Sequence, residues 1–82
     1  MNVDEVRAAV AEVADLLRLD GADLELVATD ERRDRIDVRL LLDGVDCDEC
    51  VLAPDQLRDA IERAVQRRAP GDYEFRIDDP RS

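Results

Sequence analysis

The chain has no histidine, lysine or tryptophan, and its 82 residues include one tyrosine, one phenylalanine, one threonine (Thr29) and one serine (Ser82). Each absence removes a class of chemistry. Without imidazole, neither the Ser-His-Asp nor the Cys-His nucleophile arrangement can be built. Without lysine there is no Walker-type phosphate loop and no Schiff base. Paired carboxylates of the glycosidase kind remain, but so few aromatic rings leave little to stack on a sugar. Long apolar runs are missing too: none approaches the roughly 18 residues that cross a bilayer. The N-terminus lacks a basic-then-apolar signal. A soluble cytoplasmic protein with no membrane partner is expected, and ordinary hydrolase chemistry is not.

What is abundant is charge of one sign. Twenty-two acidic residues stand against 12 basic ones, all arginine, for a net charge of −10. A surface this negative repels phosphate backbones, so nucleic acid is not an expected partner. The Asp-rich, lysine-free composition fits a GC-rich genome and plain solubility as well as it fits adaptation to high salt. At this length a chain buries about 60–65% of its unfolded surface, enough for one two-layer core and not for a deep enclosed pocket.

The hydrophobic spacing gives the elements. Asn2 is a suitable N-cap with Glu5 three residues on, the capping-box pattern. Val3, Val6, Val10, Val13 and Leu17 then recur at helical spacing, widened by Ala9 and Leu16, and Gly21 lies where a left-handed helix end is wanted. The period next becomes two. Leu24, Leu26 and Ala28 alternate with acids, and Ile36, Val38, Leu40 and Leu42 alternate with Asp37, Arg39 and Leu41. With a charged turn at 30–34, these runs predict an antiparallel hairpin with one buried face. Pro54 and Asp55 suit the first turn of a second helix, whose inward stripe is Leu57, Ala60, Ile61, Ala64 and Val65, ended by Pro70-Gly71. Tyr73, Phe75 and Ile77 alternate as a last strand. The predicted fold is α/β (α+β): a single domain over 1–82, with 1–2 and 79–82 as flexible termini. Its order is α-β-β-α-β, with two helices on one face of a three-stranded mixed sheet and a right-handed crossover through the second helix.

One feature carries chemistry. Cys47-Asp48-Glu49-Cys50 places two thiols at C-x-x-C spacing in the loop between the second strand and the second helix. Zinc and iron–sulfur clusters both favour four ligands. One chain supplies two thiols, but two chains about a two-fold axis supply four. Thioredoxin-like exchange needs a lowered thiol pKa, and Asp46, Asp48 and Glu49 act the other way. An incidental pair, a disulfide, dimer-bridging structural zinc and an iron–sulfur site stay open on spacing alone.

Longer stretches add a resemblance. Leu19-Asp20-Gly21-Ala22-Asp23-Leu24-Glu25-Leu26-Val27 resembles the D-G-G-D-[VL]-E-L-V segment of the NifU-type scaffold domains of iron–sulfur cluster assembly, with Ala22 in place of one glycine. Cys47-x-x-Cys50 matches the ligand pair of that family. Leu57, Ile61, Glu62, Arg63, Ala64 and Pro70 fall, without gaps from Cys50, on its T-L-x-x-G-I-E-R-A-L…P helix pattern. The resemblance implies the α-β-β-α-β order read independently above. It also implies a labile iron–sulfur cluster, usually [4Fe-4S], held by Cys47 and Cys50 of two subunits and passed to apo iron–sulfur proteins, so that the domain is a carrier rather than an enzyme.

The loop departs from the family pattern. The family has small neutral residues between the cysteines and Gly-Ala before them; here Asp48 and Glu49 lie between, Asp46 precedes, and Gly44 is one residue further upstream. Val51 and Leu52 replace the family's Pro and Ser. Two copies would bring six carboxylates near a negative four-thiolate cluster, and each unit-charge pair at roughly 8 Å costs about 2 kcal/mol at an effective dielectric near 20. Outward-pointing carboxylates, salt or arginines such as Arg58 can offset this. A different class of function, a degenerate domain acting through protein contacts, would use the sheet's open face or Val51 and Leu52 if they were exposed; burial of these two residues is the expected arrangement.

Overall fold

The computed structural model describes residues 2–43 and 51–80. The elements follow in the expected order: α1 (Val3–Arg18), β1 (Asp23–Asp30), β2 (Arg35–Leu41), α2 (Pro54–Arg68) and β3 (Glu74–Asp78). The three strands form one sheet in the order β1-β2-β3, with β1 antiparallel and β3 parallel to β2. It is the α+β architecture with a mixed sheet that the periodicity predicts.

Helix α1 starts where Asn2 Oδ1 accepts the Glu5 backbone N–H at 3.3 Å. The Glu5 carboxylate does not complete a reciprocal box; it reaches across to Arg68 of α2 at 3.6 Å. The far end closes as a Schellman motif: the Ala22 N–H bonds the Leu17 carbonyl and the Gly21 N–H the Arg18 carbonyl, both at 3.1 Å. Gly21 has φ 86°, a conformation with no steric penalty only for glycine. The motif also turns the chain so that buried Ala22 lies under buried Leu17.

The inward face of α1 is Val6, Ala9, Val10, Val13, Ala14 and Leu17. Leu16, expected to widen that face, is instead 60% exposed. The stripe widens on its other flank, with small Ala14 fitting against the neighbouring layer.

In the hairpin, Leu24 pairs with Leu40 and Leu26 with Val38, but the register then shifts, leaving Val27 as the extra residue of a bulge. A bulge flips the alternation beyond it. Ala28 therefore pairs with Asp37 and is exposed, while Thr29 takes the position opposite Ile36. Strand β1 runs on to Asp30, whose Oδ1 accepts the backbone N–H groups of Arg32 and Arg33 at 3.0 and 3.4 Å, so the turn is shorter than expected. Strand β2 stops at Leu41, and Leu42 packs half-buried against the core from outside it.

Helix α2 begins with Pro54 in its first turn, and Gln56 Oε1 accepts the Ala53 N–H at 3.3 Å. Its buried residues are Leu57, Ile61, Ala64 and Val65, with Ala60 half-covered at the edge of the stripe. After α2, the Tyr73 hydroxyl donates to the Ala69 carbonyl at 2.6 Å, and the Tyr73 and Phe75 rings meet edge to face at 6.2 Å.

The core lies between the helix pair and one sheet face, where Leu24, Ile36, Val38, Leu40 and Phe75 join the inward residues of both helices. Burying each Leu, Ile or Val there contributes roughly 1.5–3 kcal/mol. No helix among the described residues is long and apolar enough to cross a membrane.

Candidate functional site

The loop from β2 to α2 carries the cysteine pair, and the core fixes both of its flanks. On the entry side Leu40 is buried and Leu42 packs on the core; on the exit side Val51 is 4% exposed and Leu52 packs against the same cluster. Cys47 and Cys50, with Gly44, Asp46, Asp48 and Glu49, lie outside the described residues.

Val51, considered above as part of an exposed patch, is a core residue. Burial, the expected arrangement for these two residues, holds: Val51 is in the core and Leu52 packs against it, so no exposed Val51/Leu52 patch forms. An apolar side chain such as that of Val51 gains more from burial in the core than it would on the surface.

Arg58 was considered as a counter-charge for the loop acids, which lie outside the described residues. Its guanidinium donates to the Phe75 carbonyl at 3.4 Å and lies 3.9 Å from Glu62. Phe75 is level with Ile36 in the sheet, five residues or roughly 16 Å back along β2 from Leu41.

The helix layer shows a feature that periodicity did not. The α1–α2 seam opens outward into a groove of about 720 Å³, lined by Val13 and Leu16 of α1, Ala60 of α2 and Leu52 beside the loop. Glu12 and Asp59 on its rim face Arg63 and Arg67. Glu12 is bound to Arg68 at 3.0 Å and Arg67 at 3.4 Å. The Arg68 hydrogen bond, helped by the charge of Arg67, holds the Glu12 carboxyl below the usual carboxylate range. The Asp23 carboxyl is lowered mainly by accepting the Leu24 backbone N–H at 2.8 Å, and further by Arg18 at 3.1 Å. These are fixed ion pairs that hold elements together, and neither carboxylate is a free acid or base.

A second concavity, of about 580 Å³, lies by the β2–β3 pair and is lined by Asp37, Arg39, Arg58, Arg76 and Asp78 among others. Asp37 Oδ1 is buried there without a hydrogen-bond partner among the described residues. No group of three or more His, Cys, Asp or Glu side chains among the described residues could hold a metal ion.

Comparison with curated proteins and with solved structures gives no significant match. The family model of the NifU-like domain matches residues 6–75, from the first turn of α1 into β3, and the stretch contains both cysteines. The chain belongs to the NifU-like domain family, which ties it to iron–sulfur cluster assembly.

Proposed function

We propose that the protein is an iron–sulfur scaffold and carrier, in which Cys47 and Cys50 of two copies hold a labile cluster, [4Fe-4S] in form, as cargo. The observation that carries this reading is the C-x-x-C pair inside a NifU-like domain match that spans most of the chain. Two thiolates per polypeptide leave a four-iron cluster half-ligated, so loading recruits a second copy.

Delivery is ligand exchange without net redox change. A recipient thiol gives up its proton as its sulfur bonds iron, and the displaced scaffold thiolate takes up a proton in turn. The protein is a stoichiometric carrier rather than an enzyme. Its partners are the assembly machinery and apo iron–sulfur proteins of the cytoplasm, with neither nucleic acid nor membrane involved. The acids beside the ligands favour release: they raise the energy of the loaded state, more at low salt than at high, because the Debye length is about 3 Å at 1 M.

Anaerobic reconstitution tests this directly. The wild-type chain is expected to give a brown species with equal iron and sulfide and a doubled hydrodynamic mass. Cys47→Ala and Cys50→Ala should each abolish uptake while far-UV circular dichroism stays unchanged. A colourless dimer holding one zinc would replace the proposal with structural zinc; a chain that stays metal-free and monomeric throughout would make it an interaction module.

A further inference from the structure

We propose that the α1–α2 groove is the surface on which the second copy of the chain docks when cargo is shared. The inference rests on the scaffold reading and names the contact that reading requires.

Three observations carry it. The first is position. Leu52 lines the groove and follows Cys50 by two residues, so their Cα atoms are at most about 7 Å apart whatever the loop conformation. A partner whose thiolates share a cluster with Cys50 must therefore come up against the surface around Leu52.

The second is composition. Leu16 is 60% exposed and Leu19, one turn further on the same side of α1, is 83% exposed. Exposed Leu16 and half-buried Leu52 line the groove, and Leu19 extends the exposed apolar surface beyond the end of α1. Uncovered leucines grouped in this way mark a contact surface.

The third is charge. Two copies at −10 each repel, yet the groove lining balances Glu12 and Asp59 against Arg63 and Arg67. It is a locally neutral approach on a strongly acidic molecule. Arg63 is paired with Asp59 at 3.0 Å and Arg67 with Glu12 at 3.4 Å, so a second copy meets cancelled charge there rather than the repulsion of the remaining surface.

Leu16, Leu19 and Leu52 together fall short of the roughly 800 Å² per partner that a stable interface buries. The groove alone does not hold the dimer; the cargo does, and the groove orients it. The empty protein is accordingly monomeric.

The test compares reconstituted wild-type chain with Leu16→Glu, Leu16→Arg and, as a control on the outer sheet face, Val27→Glu. Val27 is 48% exposed, so all four should fold alike by circular dichroism and thermal midpoint. Light scattering after loading reads the dimer. Both Leu16 variants should weaken it by about tenfold or more, the scale of one leucine's burial, and Val27→Glu should not. The two signs matter, because a general charge effect would make Leu16→Arg strengthen the dimer of an acidic chain.

Normal dimers from both Leu16 variants would overturn the groove assignment and leave the scaffold reading intact. Normal dimers that fail to pass their cluster to apo-ferredoxin would assign the groove to recipients instead, and so overturn it too. A wild-type chain that takes up no iron and sulfide would sink the scaffold reading and this inference with it.

Discussion

The covered and bare faces of the sheet differ in what holds each side chain in place. On the covered face, Leu24 lies opposite Leu40, and Ile36 and Val38 lie beside Phe75 and Ile77, with two helices excluding water. On the bare face Arg39 sits between Glu25 and Asp78, its register neighbours on either side, at 3.8 and 3.3 Å, and Arg35 meets Glu74 at 3.3 Å. Exclusion of water makes the first set strong and unforgiving of shape; access of water makes the second weak and forgiving. Arg35 and Arg39 on the wet face and Arg67 and Arg68 at the helix seam each meet an acid. The exposed leucines, Leu16 and Leu19, collect at the end of α1.

Three measurements would sharpen or break that contrast. The largest effect is expected from Ile61→Ala: the side chain is fully buried, and its removal should cost about 2–5 kcal/mol in urea unfolding. A cost below that of a surface change would show a loosely packed helix layer. Arg39→Gln should cost no more than about 1 kcal/mol, and less in high salt, because its pairs are solvent-exposed. A larger cost would make the bare face a structural element in its own right.

The smallest effect belongs to the Glu12 pairing. Its folded-state pKa is lowered, so its contribution is complete above the unfolded value of about 4.3 and is lost as pH falls through the folded value. Wild type should lose urea resistance between about pH 5 and pH 3 more steeply than Glu12→Gln. Parallel acid limbs would show that the seam ion pairs do no more than solubilise the surface.

Much of this was legible in the residues because the two periods, 3.6 and 2, act on local geometry alone. Asn2 and Gly21 marked the ends of α1, and Pro54 marked the start of α2. What escaped was decided by contacts distant in sequence. Ala28 was read as inward because the alternation of β1 runs on unbroken, whereas pairing with β2 inserts a bulge at Val27. Leu16 was read as inward because leucine at the margin of a stripe is ambiguous by about one position; it lies instead at the open mouth of the α1–α2 seam. Val51, by contrast, was expected to be buried on its apolar character alone, since a loop residue has no period to place it, and it is. For the site the division is sharper. The cysteine spacing and the family likeness are matters of sequence, while the neutral groove beside them has no linear signature: its lining comes from α1, α2 and the residue that joins the loop to α2.

By itself, then, the order of residues determined the α-β-β-α-β succession, the hairpin, the acidic surface and the presence of two thiols, since each depends on neighbours within a helical turn or a strand pair. Only the tertiary structure decided which apolar side chains remain uncovered and which acids find an arginine. Those outcomes depend on how two helices settle on a twisted, bulged sheet, and packing and Coulomb energies are set by distance in space rather than along the chain.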